Sequence, residues 1–257
     1  MGYLDDSNNK IKVRMKKGQT ISGFPIGILY LEDVHYPLMP GNVVNGYTFD
    51  FPVRYRAVEG LDIPNLVFKE PTEEVYQSIL KAGKSLEADG CRAISGACGF
   101  FGNYQRKLAD DLNIPVALSS LLQLPWIGTI LKPGQKIGVL TADQSSLTDN
   151  VFENCSISRE LRKRLIMKDL RNEPEFSCIP EARGEFDNGT VQQEVVAKAL
   201  EITEDDPDVR AILLECSDMP PYAFAVQQAT GCMVFDYTTL IKWLYSAAAQ
   251  MPYKGFI

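Results

Sequence analysis

One short pattern occurs twice in this chain, and that repetition constrains the fold more than any other feature. Arg92-Ala93-Ile94-Ser95-Gly96-Ala97-Cys98 and Arg210-Ala211-Ile212-Leu213-Leu214-Glu215-Cys216 both read R-A-I-x-x-x-C, 118 positions apart. Eighteen residues beyond each cysteine the chain is apolar again, at Val116 and at Val234. An earlier pair, Ile26-Gly27-Ile28-Leu29 and Ile137-Gly138-Val139-Leu140, matches at an offset of 111. Such spacing implies an internal duplication. Two similar lobes would each present one thiol at the same structural place, with a site between them.

The patterning between these landmarks alternates strand and helix. Phe24 to Leu31 is a continuous apolar run, the mark of a strand buried on both faces. Val53–Val58, Cys91–Ala97, Ile114–Leu118, Lys136–Thr141, 165–170, 209–215 and 232–237 read as further strands. Thr72-Glu73-Glu74 opens a helix with Val75, Ile79, Ala82 and Leu86 near helical spacing. Other helices are expected at 101–112, after Leu118 to about Leu131, and at 146–155, 190–203, 219–230 and 238–250. The stretch 173–189 reads as irregular. This alternation defines an α/β fold: two pseudo-symmetric lobes, each a mostly parallel sheet flanked by helices, with the active site in the cleft between them. The break at Lys132-Pro133-Gly134 divides the first lobe, 24–133, from the second, 134–257, after an N-terminal extension, 1–23. In that extension Ile11, Val13 and Met15 alternate with charges, which fits a short edge strand or hairpin as well as disorder. The last helix has two options, its own lobe or a return to the first.

Composition narrows the function classes. The 257 residues are 45% hydrophobic and 23% charged, an ordinary globular balance. A net charge of −7 argues against a nucleic-acid binder. The N-terminus lacks the order of a secretory signal, and no apolar run reaches the length of a membrane span, so the cytoplasm is the expected compartment. Six cysteines occur with a single histidine, His35, and none forms C-x-x-C. No zinc-type set can be assembled from them, and neither a metal nor a cofactor is expected.

In parallel α/β sheets the ligand sits at the carboxyl ends of the strands. Cys98 and Cys216 each end a strand and precede a helix, where N–H groups and the helix dipole lower a thiol pKa. They are the candidate catalytic pair. Cys91, Cys155, Cys178 and Cys232 lack that placement and read as buried core thiols. Gly96-Ala97-Cys98-Gly99-Phe100 nearly makes a nucleophile elbow, but Phe100 stands where glycine is wanted, and His35 reads as a surface-loop residue. Ser119 and Thr141, at strand ends, are candidates for substrate contact or for capping the next helix. Asn45, Thr48 and Arg54 border the long loop 35–50, which is long enough to be a lid. An arginine there would suit a carboxylate.

The segments Ser95-Gly96-Ala97-Cys98-Gly99-Phe100-Phe101 and Leu214-Glu215-Cys216-Ser217-Asp218-Met219-Pro220-Pro221-Tyr222 resemble the two cysteine motifs of the aspartate/glutamate/hydantoin racemase superfamily. The loop from Pro40-Gly41-Asn42-Val43 through Thr48-Phe49-Asp50-Phe51-Pro52-Val53 is similar to a stretch in one of its branches. The resemblance implies a cofactor-independent racemase or epimerase of a small carboxylate, an acidic amino acid or an analogue, and a homodimer. One thiolate takes the α-proton and the other thiol delivers one to the opposite face, each sulfur about 3–3.5 Å from that carbon. Backbone N–H groups at Gly99, Phe100, Ser217 and Asp218 would stabilise the carbanion. This chain departs from the amino-acid racemases at two places. Gly99-Phe100 replaces their Asn-Thr, and Ser217-Asp218 replaces their Thr-His. Two alternatives arise: a decarboxylase or a cis–trans isomerase of a dicarboxylate on the same scaffold, in which the two cysteines are unequal, and a non-catalytic small-ligand-binding module.

Overall fold

The computed structural model of the chain describes residue 15 and residues 17–253. Most of the N-terminal extension, including the expected edge strand or hairpin, lies outside the described residues. The first sheet contains β1 (Ile26–Asp33), β2 (Val53–Asp62), β3 (Ala93–Gly96) and β4 (Val116–Ala117). The second contains β5 (Lys136–Thr141), β6 (Leu165–Asp169), β7 (Val209–Leu214) and β8 (Met233–Phe235). The spatial orders are β2-β1-β3-β4 and β6-β5-β7-β8, and every described pairing is parallel. The topology of one sheet is therefore repeated in the other.

The repeat holds to the level of register. Ile26 pairs with Ala93 and Gly27 with Ile94, while Ile137 pairs with Ala211 and Gly138 with Ile212. Ile94 pairs with Val116, and Ile212 with Val234. Both sequence offsets, 111 and 118, are thus built into the hydrogen-bonding ladder. The two glycines share a reason as well. A Cβ at Gly27 would lie 2.8 Å from a Leu86 methyl carbon, and one at Gly138 would lie 2.6 Å from Ile202. Each glycine lets a long helix settle onto its sheet: α1 (Glu73–Ala88) in the first lobe, α7 (Asn188–Asp205) in the second.

Helix α1 starts where Thr72 accepts the Val75 N–H, with Glu73 and Glu74 complementing the dipole of its first turn. It buries Tyr76, Ile79, Ala82 and Leu86. Each such large apolar side chain contributes about 1.5–3 kcal/mol. Helix α7 is capped in the same way by Asp187, which accepts the Thr190 N–H.

The shorter helices depart from the sequence reading. The helix after Cys98 divides into a 3-10 turn, Gly99–Tyr104, and α2 (Gln105–Asp111), and the glycines at 99 and 102 sit against neighbouring side chains. The one after Ser119 divides into Ser120–Gln123 and α3 (Leu124–Ile130), with Pro125 setting the start of the latter. The expected helix 146–155 shrinks to α4 (Asp149–Asn154), because Asp143 caps a separate turn, Gln144–Ser146. Short helices α5 (Arg159–Arg162) and α6 (Cys178–Glu181) were not legible, nor was the wide turn Pro64–Phe68. Beyond α8 (Ala223–Thr230), the last helix, α9 (Tyr237–Ala248), returns to the first lobe. Its Tyr237 and Ile241 pack with Ile26, Ile28 and Val43, and the Tyr237 hydroxyl donates to the Leu118 carbonyl at 2.8 Å.

A methyl group at Gly138 has no space, since the facing atom belongs to a fully buried Ile202. G138A is expected to lower stability by about 1–3 kcal/mol through overpacking. G46A, where a Cβ meets nothing within 4 Å, serves as the neutral control. Thermal unfolding of the two variants checks this, and equal melting temperatures would contradict it.

Candidate active site

The duplicated strands β3 and β7 each run two residues past their last ladder pair before reaching a cysteine. Ala97 N–H donates to Leu29 O at 2.8 Å, and Glu215 N–H donates to Leu140 O at 2.7 Å, so both strand ends hold the same conformation. Each is then fastened by a serine of the other lobe. Ser217 Oγ donates to Ala97 O at 2.8 Å, and Ser120 Oγ donates to Glu215 O at 3.0 Å. These carbonyls immediately precede Cys98 and Cys216. The thiols consequently face one cleft, lined on one side by Leu31, Tyr36, Phe68, Cys98, Gly99 and Phe100 and on the other by Ala142, Asp143, Glu215, Cys216, Ser217 and Asp218. Its free space is narrow, about 40 Å³.

Cys98 is partly buried and Cys216 buried, and both are free thiols. The helix-start groups do reach them: the Phe100 N–H serves the Cys98 sulfur, and the Asp218 N–H serves Cys216. The expected lowering of the thiol pKa values is nonetheless overturned. Burial raises both, and Glu215 raises Cys98 further, while Asp218 and then Glu215 raise Cys216. Desolvation and like charge outweigh two N–H groups on short turns. At rest both cysteines are neutral thiols.

Two carboxyl groups shape the second half of the site. Asp218 stands 3.5 Å from the Cys216 sulfur, in the position where the amino-acid racemases carry histidine. Tyr36 donates to its Oδ2 at 3.3 Å, and Asn42 Nδ2 donates to its Oδ1. Burial pushes the Asp218 pKa up to about 6 despite these hydrogen bonds. Glu215 is fully buried, accepts the Thr141 hydroxyl at 2.9 Å through Oε2, and is pushed by burial up to about 7. Its Oε1 has no hydrogen-bond partner among the described residues.

The structure brings Cys98, Gly99, Phe100, Cys216, Ser217 and Asp218 together in the cleft. Thr141 lies behind it as the support of Glu215. Ser119 is fully buried and accepts the Leu121 N–H, the capping alternative. Asn45, Thr48 and Arg54 are not brought to the cleft. Asn45 donates to Leu38 O and Thr48 to Asn42 O, which closes the loop on itself. Arg54 sits at the amino end of β2, paired with Asp89 at 2.8 Å. The loop 35–50 is pinned to the site by Tyr36 and Asn42, and His35 is exposed outside the cleft. Tyr36, Asn42 and Glu215 were missed in the sequence. The signal for Glu215 was present, because an acid closing an otherwise apolar strand, Ala211-Ile212-Leu213-Leu214, has to be explained.

With this geometry the chain can be compared with known proteins. Its fold is that of the aspartate/glutamate/hydantoin racemase superfamily. Arylmalonate decarboxylase superposes with a TM-score of 0.56 at 17% identity, covering 89% of this chain and 94% of that one. Allantoin racemase from Pseudomonas fluorescens gives a TM-score of 0.54 at 15% identity, covering 90% and 99%. The chain itself belongs to the dimethylsulfoniopropionate lyase family. It is 31% identical over 225 residues to dimethylsulfoniopropionate lyase of Durusdinium sp. clade D, covering 86% of this chain and 73% of that protein. It is 32% identical over 238 residues to dimethylsulfoniopropionate lyase 7 of Emiliania huxleyi, covering 90% and 69%. No family profile matches the chain. The racemase expectation is therefore corrected, because these relatives are named lyases, although the fold of this chain is racemase-like. The bond-breaking alternative on the same scaffold stands nearer, and membership in an enzyme family displaces the binding-module reading. No helix of the described residues is long and apolar enough to cross a membrane.

Gly99 and Glu215 form a steric pair that thermal unfolding can expose. A Cβ at position 99 would fall 1.4 Å from Glu215 Oε1. G99A should be strongly destabilised, and E215A in the same chain should recover part of that loss, a coupling of about 0.5–3 kcal/mol. Simple additivity of the two substitutions would contradict this packing.

Proposed function

We propose that this chain is a lyase that cleaves dimethylsulfoniopropionate, or a close β-sulfonium carboxylate, by removing the α-proton with Cys216. The observation that carries the reading is the pairing of Cys216 with Asp218 across a cleft from Cys98. The relatives' names supply the substrate class. Two features of the cleft agree with a cationic leaving group. Asp143, Glu215 and Asp218 line it, and among the described lining residues there is no lysine, arginine or histidine. Tyr36, Phe68 and Phe100 add aromatic faces, to which cations are attracted.

The resting thiol becomes a base when the substrate arrives. A sulfonium about 4 Å from the sulfur, at an effective dielectric near 20, favours the thiolate by roughly 4 kcal/mol. That is about three pK units. Asp218, at 3.5 Å, accepts the thiol proton. The Cys216 thiolate then takes the α-proton. The C–H electron pair passes into the carboxylate as an enediolate, then returns to form the Cα–Cβ double bond as the β C–S bond breaks with its electrons passing to sulfur. Neutral dimethyl sulfide and acrylate leave, Cys216 is again a thiol, and Asp218 gives up to water the proton it took, the one proton the elimination releases.

Elimination and racemisation diverge once the α-proton is removed. In elimination no proton has to be returned to the opposite face, because departure of the sulfide consumes the electron pair. The two cysteines are therefore unequal. Cys216 is the base, while Cys98 contacts the other face and shapes the cleft. C216S is expected to lose about 10²–10⁴-fold in kcat, the usual worth of a positioned base. C98S is expected to lose clearly less. Assay of dimethyl sulfide and acrylate release from dimethylsulfoniopropionate tests this. No release by the wild-type chain, or full activity in C216S, would sink the proposal.

A further inference from the structure

A cleft without a cation that binds a carboxylate has to supply another kind of donor. The substrate class above carries one carboxylate, and on loss of the α-proton its two oxygens take up further negative charge. The side-chain hydroxyl and amide groups near the second thiol are engaged: Tyr36, which lines the cleft, and Asn42 behind it on Asp218, and Ser217 on Ala97. The Phe100 and Asp218 N–H groups are turned to the thiols. Arg171 stacks its guanidinium 4.5 Å from the centre of the Phe68 ring and is not among the lining residues.

Among the side chains, Glu215 is the exception, standing beside the backbone N–H groups of Gly99 and Ser217 that line the same cleft. It is fully buried, its Oε2 accepts the Thr141 hydroxyl at 2.9 Å, and the Ala142 N–H also serves the carboxyl group. That leaves Oε1 without a partner and against Gly99, on a residue that lines the same cleft as both thiols. The pseudo-symmetric position in the first lobe is Ala97, so nothing in the duplicated scaffold calls for an acid here. A buried oxygen with no partner is unfavourable, and a ligand accepting its proton would remove that cost.

We propose that Glu215 is a neutral acid whose Oε1–H donates a hydrogen bond to the substrate carboxylate and to the enediolate that forms when the α-proton leaves. This rests on the lyase reading for the identity of the carboxylate. Oε1 is the protonated oxygen because the Thr141 hydroxyl donates to Oε2 while Oε1 has no partner among the described residues. Burial favours protonation of Glu215 most, and Asp143 after β5 adds to it. The other titratable groups facing it are Cys98 after β3, Cys155 after α4, Tyr237 at the start of α9, and Cys216 and Asp218 on its own loop. None of them is cationic. Its pKa of about 7 gives the sign of the pH effect: the acid is present below pH 7 and is lost as pH rises through 7. A charged Glu215 would repel the carboxylate it otherwise binds.

The test uses the whole chain and 3-(trimethylammonio)propionate, a cationic carboxylate with a poor leaving group. Its affinity is measured by calorimetry between pH 7 and pH 8.5, where Asp218, at about 6, is already ionised. Wild type should weaken by up to tenfold per pH unit. E215Q should bind with no such slope, because its amide oxygen takes the place of Oε2 and its NH₂ supplies the missing donor. E215A should bind at least tenfold more weakly than E215Q. In cleavage assays E215A should lose about 10²–10³-fold in kcat, as for other oxyanion donors, with partial recovery in E215Q. The same pH slope in E215Q as in wild type, or equal losses in E215Q and E215A, would overturn the inference. Glu215-dependent binding without sulfide release would instead sink the lyase reading and leave the acid in place. Sulfide release with binding indifferent to Glu215 would sink this inference alone.

Discussion

The site depends on two reciprocal hydrogen bonds between the lobes. Ser217 of the second lobe donates to the carbonyl before Cys98, and Ser120 of the first donates to the carbonyl before Cys216. Each strand end is thus fixed by the opposite lobe, and the two thiols cannot shift independently. Both serines are buried, where a lost partner costs about 1–3 kcal/mol rather than the net worth of one surface hydrogen bond. The repeated ladder register brings the strands to matching heights, and the serines turn that match into a single cleft. A duplicated scaffold supplies two thiols, and its asymmetries then decide what they do.

Those asymmetries are chemical. Where the first lobe has Ala97 and Gly99, the second has Glu215 and Ser217, and Asp218 stands against Cys216 with Phe100 as the counterpart beside Cys98. Burial keeps the thiols protonated and raises Asp218 and Glu215 to about 6 and about 7, so such charge as these four groups carry near neutral pH is negative and sits on the carboxyl groups. A cation entering such a space changes every equilibrium in it at once, because interactions there are far less screened than in water. A sulfonium substrate brings the charge that ionises its own base. This links the acid-rich lining to the sulfonium lyases among the chain's relatives.

The fold was legible because the information lies in spacing. The offsets 111 and 118 reappear as ladder register, and Cys98 and Cys216 follow from strand-end geometry alone. Helices that rest on many apolar positions, such as α1 and α7, were read correctly. The short turns after Cys98 and Ser119 were not, since proline and glycine packing divides them. The site was harder. Tyr36 and Asn42 reach Asp218 from about 180 residues away, and nothing local to a loop reports such a partner. Asn45, Thr48 and Arg54 looked suitable by type, yet their hydrogen bonds are spent on loop closure and on Asp89. The thiol pKa values were misjudged because a motif shows helix starts but not desolvation. The reaction was misjudged because two thiols on this fold serve more than one chemistry, and the leaving group resides in the substrate.

Breaking of the α C–H bond is the step on which the whole scheme turns, and substrate deuterated at that carbon examines it directly. Wild-type chain in excess over deuterated and over ordinary dimethylsulfoniopropionate would be followed through a single turnover, with mass analysis of the remaining substrate. Removal of the α-proton by Cys216 predicts either several-fold slower dimethyl sulfide release from the deuterated substrate or loss of deuterium to water before cleavage. Equal release rates with full retention of deuterium in the unreacted substrate would contradict it, because the C–S bond would then break before any α-proton is removed.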